Sequence, residues 1–277
     1  MSKDFILNTA RNEQLHITAY GLENINPIAC LIFVHGFKGF KDWGFGPYIG
    51  QYFGKIGFFV ILFNFSHNGI GDKLTEFTEL DKFAQNTFSL EIEELSGLIS
   101  AYLNGYFCKL SNQKIGLIGH SRGGAISLLT ARQIVNVNAV AVWSSISKLD
   151  RYSGKQKENW RKKGYFEVFN TRTRQKMKLN LSLLEDIEKN GNNSLNLEKA
   201  VRELDRPLLI VHGEQDIAVQ IKEAERLYEW SNKSITYFHR ISSVGHTFNM
   251  KHPFEGSNSK FDELLQITGK FFINNLS

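Results

Sequence analysis

A chain of 277 residues, 42% hydrophobic and 13% aromatic, holds enough apolar material for one sizeable core, as a single large domain or a domain with a small insertion. No apolar run is long enough to span a bilayer, and the opening MSKDFILNTARNEQ lacks the apolar centre of a secretory signal, so a cytoplasmic location is the expectation. The net charge of +5 is mild but uneven: residues 148–178 carry a local +8 with no nucleic-acid motif, which argues against a nucleic-acid partner.

In chain order, Phe5-Ile6-Leu7 and Leu15-His16-Ile17-Thr18-Ala19-Tyr20 predict two strands around the polar turn Arg11-Asn12-Glu13. Residues 29–34 are continuously apolar, as in a strand of a parallel sheet covered on both faces, and run into His35-Gly36-Phe37-Lys38-Gly39. A short amphipathic helix over 46–57 precedes a second buried strand, 58–63, which opens into Asn64-Phe65-Ser66-His67-Asn68-Gly69. Phe88, Ile92, Leu95, Ile99 and Tyr102 recur at helical spacing and predict one helix over 81–102. An apolar strand over 115–118, a helix over 124–135 and a strand over 139–143 follow. The basic segment, 147–196, then shows helical stretches around 159–161 and 181–188 but no long buried strand. Strand signals resume at 207–211 and 235–238, with helices over 221–230 and 260–272. Strands alternating with helices predict a mostly parallel, doubly wound α/β sheet. Cys30 and Cys108 read as two separate thiols rather than a disulfide or metal pair. With no C-x-x-C or H-E-x-x-H pattern, no cofactor or metal is expected.

The chemistry centres on Gly119-His120-Ser121-Arg122-Gly123, at the seam between a buried strand and a helix. A turn sharp enough to expose the Ser121 hydroxyl forces a positive φ on the serine and leaves no room for side chains at 119 and 123. It also puts the Arg122 N–H at a helix N-terminus, where it favours an anion. A serine hydroxyl needs a base. Of eight histidines, His246 stands in a loop after the last predicted strand, where chain ends of a parallel sheet converge. His252 is the nearest rival, while His16, His239 and His212 fall in or at strands. A carboxylate must orient the base. Asp216 follows the strand 207–211, with Glu214 as the alternative. The second oxyanion donor falls to the Phe37 N–H, where Gly36 allows a close backbone approach.

The runs VHGFKG (34–39), GHSRGG (119–124), HGEQD (212–216) and GHTF (245–248), in the order Ser121, Asp216, His246, resemble the α/β-hydrolases over essentially the whole chain. The chain is similar to the dienelactone-hydrolase-like, cinnamoyl (feruloyl) esterase-like and serine-aminopeptidase-type branches. The resemblance implies an α/β-hydrolase fold of about eight strands. Residues 1–146 and 197–277 would form its core, and 147–196 a small helical cap. It further implies a Ser-His-Asp mechanism on a small acyl ester, with thioester, acyl-transfer or amide chemistry, or a non-catalytic binding role, as alternatives. His35, Trp43, His67, Trp143 and Trp160 are candidate pocket residues, with Phe45, Asn68, Tyr165, Phe166 and Phe169 beside them. Aromatic residues and the basic charge of the cap make aromatic or anionic esters the candidate substrates.

Overall fold

The computed structural model describes residues 1–24, 27–73, 75–107 and 112–277, so the expectation for Cys108 lies outside the described residues. Ten strands and nine helices follow one another along these residues. The first stretch contains β1 (Ser2–Asn8), β2 (Gln14–Tyr20), β3 (Cys30–Val34), α1 (Gly46–Lys55), β4 (Phe59–Phe63), α2 (Leu80–Gln85) and α3 (Phe88–Leu103). The middle contains β5 (Ile115–His120), α4 (Arg122–Gln133), β6 (Val137–Trp143), α5 (Gly154–Lys163), β7 (Tyr165–Asn170), β8 (Gln175–Asn180), α6 (Leu181–Asn190) and α7 (Leu197–Arg202). The last part contains β9 (Leu208–Gly213), α8 (Ile221–Trp230), β10 (Thr236–Ile241) and α9 (Ser259–Leu276).

Eight strands form one sheet in the order β1-β2-β4-β3-β5-β6-β9-β10. The β1–β2 and β2–β4 pairs are antiparallel and every other pair is parallel. This is the mostly parallel doubly wound sheet that the alternating elements predict. The continuous apolar runs explain its layering. In β4, Phe59, Ile61 and Phe63 face one hydrophobic cluster while Val60 and Leu62 face another; in β3, Ile32 and Val34 oppose Leu31 and Phe33. Helices α3, α4, α6, α7 and α8 cover the first face, and α1 and α9 the second. Each fully buried Phe, Leu or Ile adds roughly 1.5–3 kcal/mol of transfer free energy. Because the central strands run in parallel, the loops after β3, β5, β6, β9 and β10 emerge at one edge of the sheet. Among the described residues no helix is long and apolar enough to cross a membrane.

Two local expectations change. The helix expected over 81–102 is two helices. Asn86 leaves the helical region and the Thr87 hydroxyl caps α3 by accepting the Leu90 N–H at 3.1 Å, so a side-chain cap ends one periodic run and starts another. The basic segment is also not purely helical. Between α5 and α6 it forms the antiparallel hairpin β7–β8, with Tyr165 opposite Asn180 and Asn170 opposite Gln175. Its outward face is polar and its strands are only six residues long, so no buried-strand signal marks them. The segment is stitched to the first cluster by Trp160, Met177, Leu179, Leu183, Leu184 and Ile187.

Candidate active site

Ser121 sits between β5 and α4 with φ 57° and ψ −120°. Its N–H donates to the Trp143 carbonyl of the adjacent strand at 2.9 Å, which pins the turn to the sheet. The glycine requirement has two distinct causes. A Cβ on Gly119 would lie 2.4 Å from the Gly123 carbonyl oxygen, inside the turn itself. One on Gly123 would lie 2.1 Å from the Val34 carbonyl oxygen, so there it is the neighbouring strand β3 that demands glycine.

The structure brings Ser121, His246 and Asp216 into one hydrogen-bond chain. His246 Nε2 lies 3.0 Å from Ser121 Oγ, and His246 Nδ1 lies 2.8 Å from Asp216 Oδ2. The other carboxylate oxygen, Oδ1, accepts the N–H groups of Ala218 and Val219 at 2.9 and 2.8 Å. Burial works to raise the Asp216 pKa, but the bond to His246, the electrostatic pull of that ring and the Val219 N–H outweigh it, so the carboxyl stays below its usual range. Asp216 remains ionised beside an imidazole that it fixes as the Nδ1–H tautomer, which leaves Nε2 facing the hydroxyl. The His246 side chain is 24% exposed, and Ser121 and His246 both line an open cleft of about 210 Å³.

Neighbouring histidines hold this arrangement without competing for its proton. His120 Nε2–H donates to the His246 carbonyl at 2.9 Å, and His212 Nε2–H donates to the Val219 carbonyl at 2.8 Å. Burial, joined by the nearby His246, pushes the His120 pKa down to about 3, and burial lowers His212 as well. His35 is held neutral in the same way, at about 4, and its Nε2 accepts the Phe65 N–H at 3.3 Å. Sequence reasoning gave His120 no role; its place beside the serine was the available signal.

The rivals fall elsewhere. His252 Nδ1 accepts the Gly44 N–H at 3.0 Å and its ring stacks on Trp43, while Glu214 is exposed. Of the pocket candidates, His35, Trp43 and Phe45 line the cleft with Ser121. His67, Trp143 and Trp160 do not. His67 is bonded to Ser66 Oγ at 2.7 Å, and Trp143 is wholly buried with Nε1–H donating to Thr268. Trp160 is wholly buried against Tyr152 and Phe166, so it docks the basic segment on the core rather than facing a ligand. Nor do Asn68, Tyr165, Phe166 and Phe169 line the cleft. Residues at the cleft that sequence reasoning missed include Phe33, Lys38, Phe40 and Thr247, and Asn170, Thr171 and Arg172 from the hairpin tip.

Gly36 lies against the serine: a Cβ on it would come within 2.9 Å of Ser121 Cβ, and Phe37 follows it along the wall of the same cleft. Arg122 opens α4, so its N–H is one of the four without an intrahelical acceptor. Its guanidinium turns inward instead, pairing with buried Glu91 at 3.3 Å and lying 4.1 Å over the Phe37 ring. The two loops that bear the Phe37 and Arg122 N–H groups are thus clamped together. Among the described residues no cluster of three or more His, Cys, Asp or Glu is arranged to hold a metal ion.

A family profile described as "alpha/beta hydrolase fold" matches residues 30–186. The chain is similar in structure to the esterase domain of a Rhodothermus marinus protein, at 19% identity with all of both chains covered and a TM-score of 0.68. It is similar to Est1E from Butyrivibrio proteoclasticus, solved with ferulic acid bound, at 16% identity, 98% of both chains and a TM-score of 0.74. It is also similar to a puromycin-hydrolyzing peptidase of Mycobacterium tuberculosis, at 15% identity and a TM-score of 0.69, covering 100% of this chain and 39% of that one. No curated protein matches the sequence significantly.

Proposed function

The chain belongs to the α/β-hydrolase fold family, and from that premise we propose that it is a serine hydrolase that cleaves a carboxylic ester through an acyl-enzyme on Ser121. The observation that carries this reading is the unbroken chain Asp216–His246–Ser121, at 2.8 and 3.0 Å, ending at the wall of an open cleft.

In the first half-reaction Ser121 Oγ bonds to the acyl carbon as His246 Nε2 takes the hydroxyl proton. The carbonyl oxygen becomes an oxyanion facing the Phe37 and Arg122 N–H groups, each worth on the order of 10²–10³ in rate. Collapse of the tetrahedral species breaks the bond to the alcohol, which leaves with the proton from Nε2. Water then attacks the acyl-enzyme, gives one proton to Nε2, and the acid departs as the proton returns to Ser121 Oγ. Asp216 stabilises the imidazolium in both halves. Residues 147–196 act as the cap that roofs the cleft through the hairpin tip. Thioester or amide cleavage uses the same steps, and a panel of acyl esters, hydroxycinnamate esters, acyl-CoAs and aminoacyl anilides separates these substrates.

The decisive test is labelling with a fluorophosphonate. The wild-type chain should label stoichiometrically and Ser121→Ala should not. An unlabelled wild type, or equal labelling of both, would end the hydrolase reading in favour of a ligand-binding role.

A further inference from the structure

The mouth of the cleft differs from its walls. Phe33, Phe37, Phe40, Trp43 and Phe45 make the interior aromatic, whereas the rim carries Lys38 from the loop after β3 and Arg172 from the tip of the β7–β8 hairpin. Arg172 Cζ lies 5.4 Å over the Phe40 ring, 5.7 Å over Phe77 and 6.0 Å over Trp43, so aromatic faces hold its guanidinium at the opening. Its Nη2 donates to the Lys38 carbonyl at a long 3.4 Å, and Lys38 Nζ donates to the Phe169 carbonyl at 3.2 Å. Lys38 holds a left-handed backbone, φ 57°, which a residue with a side chain rarely adopts.

Among the described residues neither cation has a carboxylate within ion-pairing distance. Other cations of the same segment do: Lys157 pairs with Asp150, Arg161 with Glu188, Lys162 with Glu158 and Lys176 with Glu167. Burial lowers the pKa of both rim groups, and the charge of Arg172 adds to the effect on Lys38. Two like charges sharing a partly desolvated rim repel one another, and an anion seated between them removes that cost. The planar guanidinium still has N–H donors to offer, in the fork geometry that suits a carboxylate.

We infer that Lys38 and Arg172 form a carboxylate-binding subsite at the mouth of the cleft, so that the substrate is a compact ester bearing a carboxylate a few bonds from the scissile bond. The word ester rests on the hydrolase reading above; the anion subsite does not. The cleft of about 210 Å³ is smaller than the ~300–1,000 Å³ of common ligand pockets, which favours a short monoester of a dicarboxylic acid over a long acyl chain.

The test compares monomethyl glutarate with its neutral near-isostere methyl 5-methylhexanoate, together with calorimetric titration of glutarate itself. Wild type should favour the anionic ester by about tenfold or more in kcat/KM, with the advantage eroding as salt rises. Arg172→Gln and Lys38→Gln should each cut the anionic-to-neutral ratio by about tenfold, chiefly through KM, and weaken glutarate binding. Arg174 shares the hairpin tip but does not line the cleft, so Arg174→Gln should leave both rates and the titration unchanged. Equal losses in Arg172→Gln and Arg174→Gln would mean diffuse attraction by a basic segment and overturn the subsite. So would a ratio near one in wild type with the neutral ester still turned over, which leaves the hydrolase reading standing. Glutarate binding that depends on Arg172, in a protein that cleaves no ester and takes no fluorophosphonate, would support the subsite while sinking the hydrolase.

Discussion

The floor and the rim of the cleft hold their charges by opposite means. On the floor, Asp216 has His246 on one oxygen and two main-chain N–H groups on the other, and His246 is tethered through its own carbonyl by His120. At the rim, Lys38 and Arg172 rest on aromatic rings and carbonyls with no opposing carboxylate among the described residues. The floor is satisfied before any ligand arrives, which is what preorganised chemistry requires. The rim is left wanting an anion, which is what recognition requires. Electrostatic satisfaction thus separates the proposed catalytic floor from the proposed anion-binding rim.

Asp216→Asn removes the charge on the floor and should have the largest effect. The asparagine carbonyl can keep the bonds to Ala218 and Val219, but its amide presents a donor to His246 and favours the wrong tautomer. A fall of about 10⁴ in kcat is expected with a nearly unchanged thermal midpoint. Retention of most of kcat would show that the floor is not organised around this carboxylate.

Packing supplies the next pair. Gly123→Ala drives a Cβ against the Val34 carbonyl and should cost roughly 3–5 kcal/mol in urea denaturation, along with fluorophosphonate labelling. Trp160→Ala empties a wholly buried site and should cost about as much, roughly 3–5 kcal/mol, because the basic segment shares the cluster on that face of the sheet. A separate, earlier unfolding step in Trp160→Ala would instead make the segment an independent unit.

The smallest effect contrasts two buried carboxylates. Asp216 is held by the His246 Nδ1–H and two main-chain N–H groups; Glu94, on α3, has the Ser66 N–H at 3.1 Å and the Ser66 hydroxyl, and burial raises its pKa to about 7. A carboxyl whose folded pKa lies above its unfolded value contributes stability at low pH and loses it as pH climbs from about 4.5 to about 7. Glu94→Gln should therefore match wild type near pH 5 and exceed it by roughly 1–3 kcal/mol at pH 8. A gain that does not depend on pH would assign the effect to packing.

Much of this molecule could be read from consecutive residues. Continuous apolar runs at 29–34 and 58–63 mark strands buried on both faces, because period and hydrophobicity are local properties. The elbow is local too: Gly119, Ser121 and Gly123 carry their steric logic within five positions, although the collision at Gly123 comes from β3. The rule that loops after parallel strands converge also places His246 and Asp216 near Ser121, and the three side chains do form one hydrogen-bond chain.

Other features depend on where the chain returns. Trp143 and Trp160 looked like pocket walls because aromatic residues near a cleft and aromatic residues in a core have the same composition; only packing buried them. The hairpin β7–β8 escaped notice because short, half-exposed strands give neither a buried run nor a helical period. Arg172 and Lys38 are 134 positions apart, and nothing in either neighbourhood says that they meet. Backbone sterics and hydrophobic period act between near neighbours, so the sequence by itself marks the strands of the sheet, the elbow and the chain order Ser121, Asp216, His246. Charge and shape at the mouth arise between distant segments, so the meeting of Lys38 and Arg172 there follows from the tertiary structure and not from either local stretch.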